Sequence, residues 1–216
     1  YKANTEDVLW AYNMVATSFD WTCYQRNVRH YGATYEDIRP PLTKAWQFPL
    51  PGMPALGVPY QPVVERNMVY VAFDSGKVLC FDLYPTEDLD HDGNVDDGYQ
   101  AGSGGPNDPI EPPDAKWRYD VIWAYDFGEP IQGPPALDCV LDPTTGLPRH
   151  ILVVPVNGKL CALDAVPMTP QGKLAPTTQV LWQTQVLDPM GGAGATLTAP
   201  IINRGCLLYT SDAADD

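Results

Sequence analysis

Gly76-Lys77-Val78-Leu79-Cys80-Phe81-Asp82 returns further along the chain as Gly158-Lys159-Leu160-Cys161-Ala162-Leu163-Asp164. In both copies a run rich in β-branched residues comes just before, Met68 to Phe73 and His150 to Val156. In both, a tryptophan-centred run follows after a polar insert: Val121-Ile122-Trp123 and Val180-Leu181-Trp182. A supersecondary unit repeated in tandem signals an array, and here every segment of the unit has strand character.

Outward from that core, a four-strand unit can be written. Its strands are Gln61 to Glu65, Met68 to Asp74, Lys77 to Leu83 and Val121 to Phe127, the last alternating Trp123, Tyr125 and Phe127. Arg66-Asn67 and Ser75-Gly76 are its tight turns, since Asn and Gly tolerate positive φ. The second unit runs Pro134 to Val140, Arg149 to Val156, Lys159 to Ala165 and Gln179 to Val186, with Asn157-Gly158 as a strong hairpin turn. A third unit starts at Thr198-Ala199-Pro200-Ile201-Ile202. Prolines 62, 134, 135 and 200 fall at the starts of first strands, where no ladder donor is lost. Repeated four-stranded antiparallel units are the blades of a β-propeller, whereas a sandwich does not repeat its strand chemistry so closely. The expected fold is therefore all-β, a partial β-propeller of four-stranded antiparallel blades. Long inserts separate third from fourth strands, at about 84–120 and at Pro167 to Thr178. Excursions of that length are functional or poorly ordered.

Composition agrees with many short strands and turns: 23 prolines and 18 glycines in 216 residues. The formal charge of −14 repels nucleic acid and anionic membrane. No run of 18 apolar residues occurs, so no membrane span is expected. The five cysteines form no CxxC or Cys/His cluster, which argues against zinc. In the repeat Cys80 aligns with Ala162 and Cys161 with Leu79. Strand alternation then points the two thiols to opposite faces of equivalent strands, as buried free cysteines.

The N-terminal residues 1–19 show little periodicity and stay unassigned. The last eleven residues, Cys206 to Asp216, read CLLYTSDAADD. Back-translated, they resemble the read-through of a transposon-end sequencing adapter, so 206–216 reads as a non-native tail. The alternative is a strand at the next β-position, Cys206 to Tyr209. Removing the three tail acids from 27 against 13 basic residues leaves the chain acidic. A chain stopping in mid-repeat exposes a blade edge and half a core, which predicts aggregation on expression.

The segments Pro62-Val63-Val64, Val69-Tyr70-Val71, Gly76 to Asp82 and Trp123 resemble the pyrroloquinoline-quinone-like (PQQ-like) β-propeller repeat. So do Gly158, Ala162, Asp164, Gly172-Lys173 and Trp182 in the next unit. Asp20-Trp21, Arg26-Asn27, Gly32, Pro40-Pro41-Leu42 and Trp46 look like the lead-in that many such propellers carry. The resemblance covers roughly residues 20–205. It implies a truncated PQQ-like propeller whose tryptophans pack between blades, and it is weak for function. Enzymatic members resemble one another in adjacent cysteines over the quinone and a calcium held by Glu, Asn and Asp. Adjacent cysteines are absent from this chain, and no such triad maps onto its repeats. The resemblance therefore implies a non-enzymatic binding or scaffold propeller, extracellular or periplasmic, whose partner is a protein or another extracellular ligand. A fragment of a PQQ-dependent quinoprotein dehydrogenase is the alternative.

One motif carries chemistry of its own. Asp88-Leu89-Asp90-His91-Asp92-Gly93-Asn94-Val95-Asp96 places carboxylates at alternate positions before a glycine. Asp88, Asp90 and Asp92 would supply side-chain oxygens to Ca2+, Asn94 its carbonyl, and Asp96 a ligand directly or through water. Tyr99 stands where an EF-hand has its bidentate glutamate, so a lone loop of modest affinity is expected. Read blandly, the stretch is a solvated acidic linker. His30, His91 and His150 have no metal-ligand spacing. Gly191-Gly192-Ala193-Gly194 reads as a loop between strands, not as a phosphate cradle.

Overall fold

The computed structural model describes residues 22–23, 56–83, 121–170, 172, 174–175, 177–187, 197–203 and 206–208. Among these the protein is all-β and contains no helix. The first sheet is antiparallel in the order β1 (Val63–Glu65), β2 (Met68–Ala72), β3 (Lys77–Asp82), β4 (Val121–Asp126). The second repeats that order with β5 (Ala136–Leu141), β6 (Pro148–Val156), β7 (Lys159–Asp164) and β8 (Val180–Gln185). A two-stranded sheet follows, β9 (Ile201–Asn203) against β10 (Cys206–Leu208). Backbone pairing is indifferent to the origin of a tripeptide, so the β9–β10 ladder does not bear on where the tail comes from.

The turns form for the reasons the sequence supplies. Arg66 and Asn67 both have positive φ (51° and 65°), which a two-residue type I′ hairpin requires. Asn157 (44°) and Gly158 (74°) repeat the geometry between β6 and β7. Gly76 (98°) has a second reason to be glycine: a Cβ there would lie 2.4 Å from the Glu129 carbonyl oxygen, in the segment joining the two sheets.

The two sheets share details that no general pattern demands. The β3–β4 ladder pairs Cys80 with Trp123 and then slips by one residue before Phe81 meets Val121. The β7–β8 ladder pairs Ala162 with Trp182 and slips identically before Leu163 meets Val180. The bulge leaves Ile122 and Trp123, consecutive residues, in the same apolar cluster. Closing hydrogen bonds recur as well. Phe127 N–H donates to the Gly76 carbonyl as Val186 donates to Gly158, and Leu83 donates to Asn67 as Ala165 donates to His150.

This equivalence gives each sheet a front and a back, and the sheets stack front on back. Val63, Tyr70, Val78, Cys80 and Trp123 on the front of the first sheet share one cluster with Leu137, Leu152, Val154, Cys161 and Leu163 on the back of the second. The front of the second sheet, with Ala136, Val153, Leu160 and Ala162, packs with Cys23, Leu197 and Ile202. Cys80 and Cys161 thus lie on opposite faces of equivalent strands, as alternation predicts. Front-on-back stacking brings both into the same core as free thiols. The first strands keep company across the stack: β1 lies beside β5, and β5 beside β9.

Trp123 is fully buried and its indole N–H donates to the Ala165 carbonyl at 3.2 Å. The Tyr70 hydroxyl donates to the same oxygen at 3.2 Å. Trp182 holds the equivalent place on the second sheet and is 38% exposed. Trp123→Ala should therefore cost about 3–5 kcal/mol in a urea unfolding series, as large-to-small core changes do. Trp182→Ala should cost well under half of that; equal losses at the two sites would contradict the packing described.

Candidate functional site

The apolar seam between the sheets ends in charge. Glu65 follows Val63 by two residues on β1 and so faces the second sheet. Across the seam, His150 sits two residues before Leu152 on β6, on the same face. The His150 Nδ1 lies 2.7 Å from Glu65 Oε2, and the pair is 6% and 11% exposed. The I′ turn after Glu65 brings Arg66 Nη1 to 3.3 Å from His150 Nε2. Cys139 stands opposite His150 across the β5–β6 ladder.

A second group adjoins it. Arg149 Nη1 donates to Asp142 Oδ2 at 2.8 Å, and its Nη2 lies 3.3 Å from Asp164 Oδ2. Asp142 is fixed in the β5–β6 loop by the amides of Thr144 and Thr145, at 2.8 and 3.1 Å. Those two N–H donors, with Arg149, hold its carboxyl below the usual range against partial burial. Asp164 is the repeat aspartate at the end of β7. Burial pushes its carboxyl up, and Arg149 opposes that shift.

Of these groups Arg66, His150, Arg149, Asp142 and Asp164 line an open cleft of about 680 Å³. One wall is the β5–β6 loop with Leu147, which is 64% exposed. The β7–β8 insert also lines it, folded back on itself by a Met168–Leu174 bridge and an Ala175-to-Pro167 backbone bond. Met168 there is 55% exposed, and Thr177, Thr178 and Gln179 complete the rim. The volume suits a small ligand. Arg149, 36% exposed and oriented by two carboxylates, presents its remaining N–H groups as a pre-set donor for an oxygen acceptor.

The protonation of His150 follows from its neighbours. Burial opposes the imidazolium, but the Cys139 and Glu65 side chains outweigh it and raise the ring to about 10. Charge counting points the same way: Glu65, Asp142 and Asp164 face Arg66 and Arg149, and a protonated His150 balances them. Arg66 at Nε2 pulls in the opposite direction, and the 2.7 Å contact with Glu65 is the stronger influence.

The candidate calcium ligands Asp88, Asp90, Asp92, Asn94 and Asp96 lie outside the described residues. Among the described residues no group of three His, Cys, Asp or Glu side chains is placed to hold a metal. Nor is any described helix long and apolar enough to cross a membrane. The cleft was not foreseen from the sequence, where His30, His91 and His150 are far apart and have no metal-ligand spacing. A signal existed: alternation puts Glu65 on the core face with Val63, and a buried carboxylate requires a partner. The chain matches no protein-family model, and no curated protein is similar to it.

The folded ring binds its proton more tightly than the unfolded one. Its stabilising contribution is therefore complete below about pH 6.5 and is lost as pH rises toward about 10. Melting temperature should fall across that window more steeply in the native chain than in His150→Gln. The difference between the two profiles isolates the ring, since burial of Cys23, Cys80 and Cys161 also favours unfolding at alkaline pH. Parallel profiles would refute the assignment of the proton to His150.

Proposed function

We propose that the chain is a stretch of a PQQ-like β-propeller acting as a non-enzymatic binding or scaffold module of a secreted or periplasmic protein. The observation that supports it is front-on-back stacking of two equivalent four-stranded sheets. A face that always meets the opposite face of its neighbour is a heterologous contact, the kind that generates rings. The adjacency of β1 to β5 and of β5 to β9 fits first strands gathered around one axis. The cleft favours binding over chemistry, because its acids and bases are engaged with one another in ion pairs.

The same reading assigns Asp88, Asp90, Asp92, Asn94 and Asp96 to a Ca2+ loop that orders the 84–120 insert. Four acids within nine residues repel one another unless a cation neutralises them. The insert leaves the first sheet after Asp82, which pairs with Met68 on the cleft wall, and returns at Val121.

Calorimetric titration with calcium chloride tests the metal. The expected dissociation constant is on the order of 10⁻⁴–10⁻³ M, with binding lost in an Asp90→Asn/Asp92→Asn double variant. Heats that survive the double variant, or no heats at all, would remove the loop from the proposal. Titration with PQQ in the presence of calcium, followed by an alcohol-oxidation assay with an artificial electron acceptor, tests the class. Quinone binding with turnover would replace the scaffold reading with a quinoprotein dehydrogenase.

A further inference from the structure

Arg149 stands between two carboxylates in the cleft. Its Nη1 lies 2.8 Å from Asp142 Oδ2, and its Nη2 lies 3.3 Å from Asp164 Oδ2. Each pair sets a guanidinium donor beside a carboxylate acceptor at about one hydrogen-bond length. Neighbouring hydroxyls on a sugar ring are spaced in the same way, and a hydroxyl both donates and accepts. One hydroxyl can therefore donate to a carboxylate while the next accepts from the guanidinium, which has further N–H groups beyond these contacts. The array is held in place before any ligand arrives, because the Thr144 and Thr145 amides fix Asp142 and Asp164 ends β7.

Charge around the cleft is balanced. Arg66, Arg149 and a protonated His150 stand against Asp142, Asp164 and the Glu65 that pairs with His150. A ligand with net charge gains no overall attraction from such a set, whereas a neutral one rich in hydroxyls uses its donors and acceptors together. The cleft also has an apolar part. Leu147 and Met168 line it and are 64% and 55% exposed. Leu147 lies close to Asp142, whose N–H donates to the Leu147 carbonyl at 2.9 Å. Exposed apolar side chains beside fixed polar groups match a ring with a hydroxyl edge and C–H faces. We propose that the cleft binds a neutral saccharide of one or two rings. Adjacent hydroxyls sit on the Arg149–Asp142 and Arg149–Asp164 pairs, and a C–H face lies against Leu147 and Met168. This ligand class rests on the cleft being a binding site and not a catalytic one, as proposed for the chain.

Saturation-transfer NMR on the intact folded chain tests the class, with methyl glucoside, methyl galactoside, methyl mannoside, maltose and cellobiose each in turn. Sodium hexanoate and leucine are the anionic and zwitterionic controls. At least one saccharide should bind at concentrations up to about 10 mM. Its dissociation constant should not change between low and physiological salt, since a neutral ligand has no charge to screen. Arg149→Lys keeps the charge but loses the planar fork, and should weaken that saccharide roughly tenfold or more. Leu147→Asn alters an exposed side chain. It should weaken binding roughly twofold to fivefold and leave the melting temperature unchanged, which separates lost binding from lost folding. Absence of binding by all five saccharides, binding that both variants leave intact, or hexanoate or leucine bound in their place overturns the proposal. That failure leaves the scaffold role standing, because calcium and PQQ titrations test it separately.

Discussion

One backbone carbonyl holds the two sheets in register. Ala165 accepts hydrogen bonds from the Tyr70 hydroxyl and from the Trp123 indole, both at 3.2 Å and both within a fully buried seam. A carbonyl has two lone pairs, and here both are used by the facing sheet. The apolar surfaces around it could slide over one another at little cost, because hydrophobic contact is non-directional. Two donors converging on one oxygen cannot slide. Displacement by a single residue pair would strand a phenol, an indole and a carbonyl in apolar surroundings, each costing about 1–3 kcal/mol. The carbonyl is itself fixed, since the Ala165 N–H donates to the His150 carbonyl.

That link ties the apolar register to the charged end of the seam. A salt bridge in a protein interior is weak evidence for stability, since desolvation offsets much of the attraction. Its value here is positional. Glu65 and Arg66 belong to the first sheet, while His150, Cys139, Arg149 and Asp164 belong to the second. A contact of 2.7 Å between Glu65 and His150 admits one relative placement of the sheets, and it is compatible with the placement that Ala165 demands. The two constraints act as a pair of pins through an otherwise apolar joint.

Much of this was legible because it is local. Turn residues, period-two burial and the repeat each depend on neighbours a few positions apart, so strands and hairpins fall where the residues predict. The differences are instructive. β1 begins at Val63 and not at Gln61, because its ladder with β2 starts at the Val63–Tyr70 pair. The β5–β6 hairpin runs one pair further than expected, to Leu141 and Pro148, because Asp142 organises the loop beyond it. The bulge at Ile122 and at Leu181 cannot be read from alternation: it breaks alternation for one residue to bring Ile122 onto the core side beside Trp123. The cleft was illegible for a stronger reason. Its parts come from the first turn, β2, the β5–β6 loop, β6, β7 and the β7–β8 insert, and only the docking of two sheets brings Arg66 to His150 across 84 positions of chain.

Front-on-back stacking also explains why two identical tryptophan positions have different fates. Each sheet covers the back of the next and leaves its own front to be covered in turn. The first front meets a complete four-stranded sheet, and Trp123 is sealed. Among the described residues the second front meets Cys23, Leu197, Ile202 and Leu207. That cover begins at β5, which touches β9, and it thins toward β8, whose residues 182 to 185 are exposed. Trp182 stands on that thin side with the same bulge, the same cross-strand partner position and the same orientation as Trp123. Sequence places the side chain identically in the two units. Among the described residues, the extent of the neighbouring sheet decides whether it is core or surface.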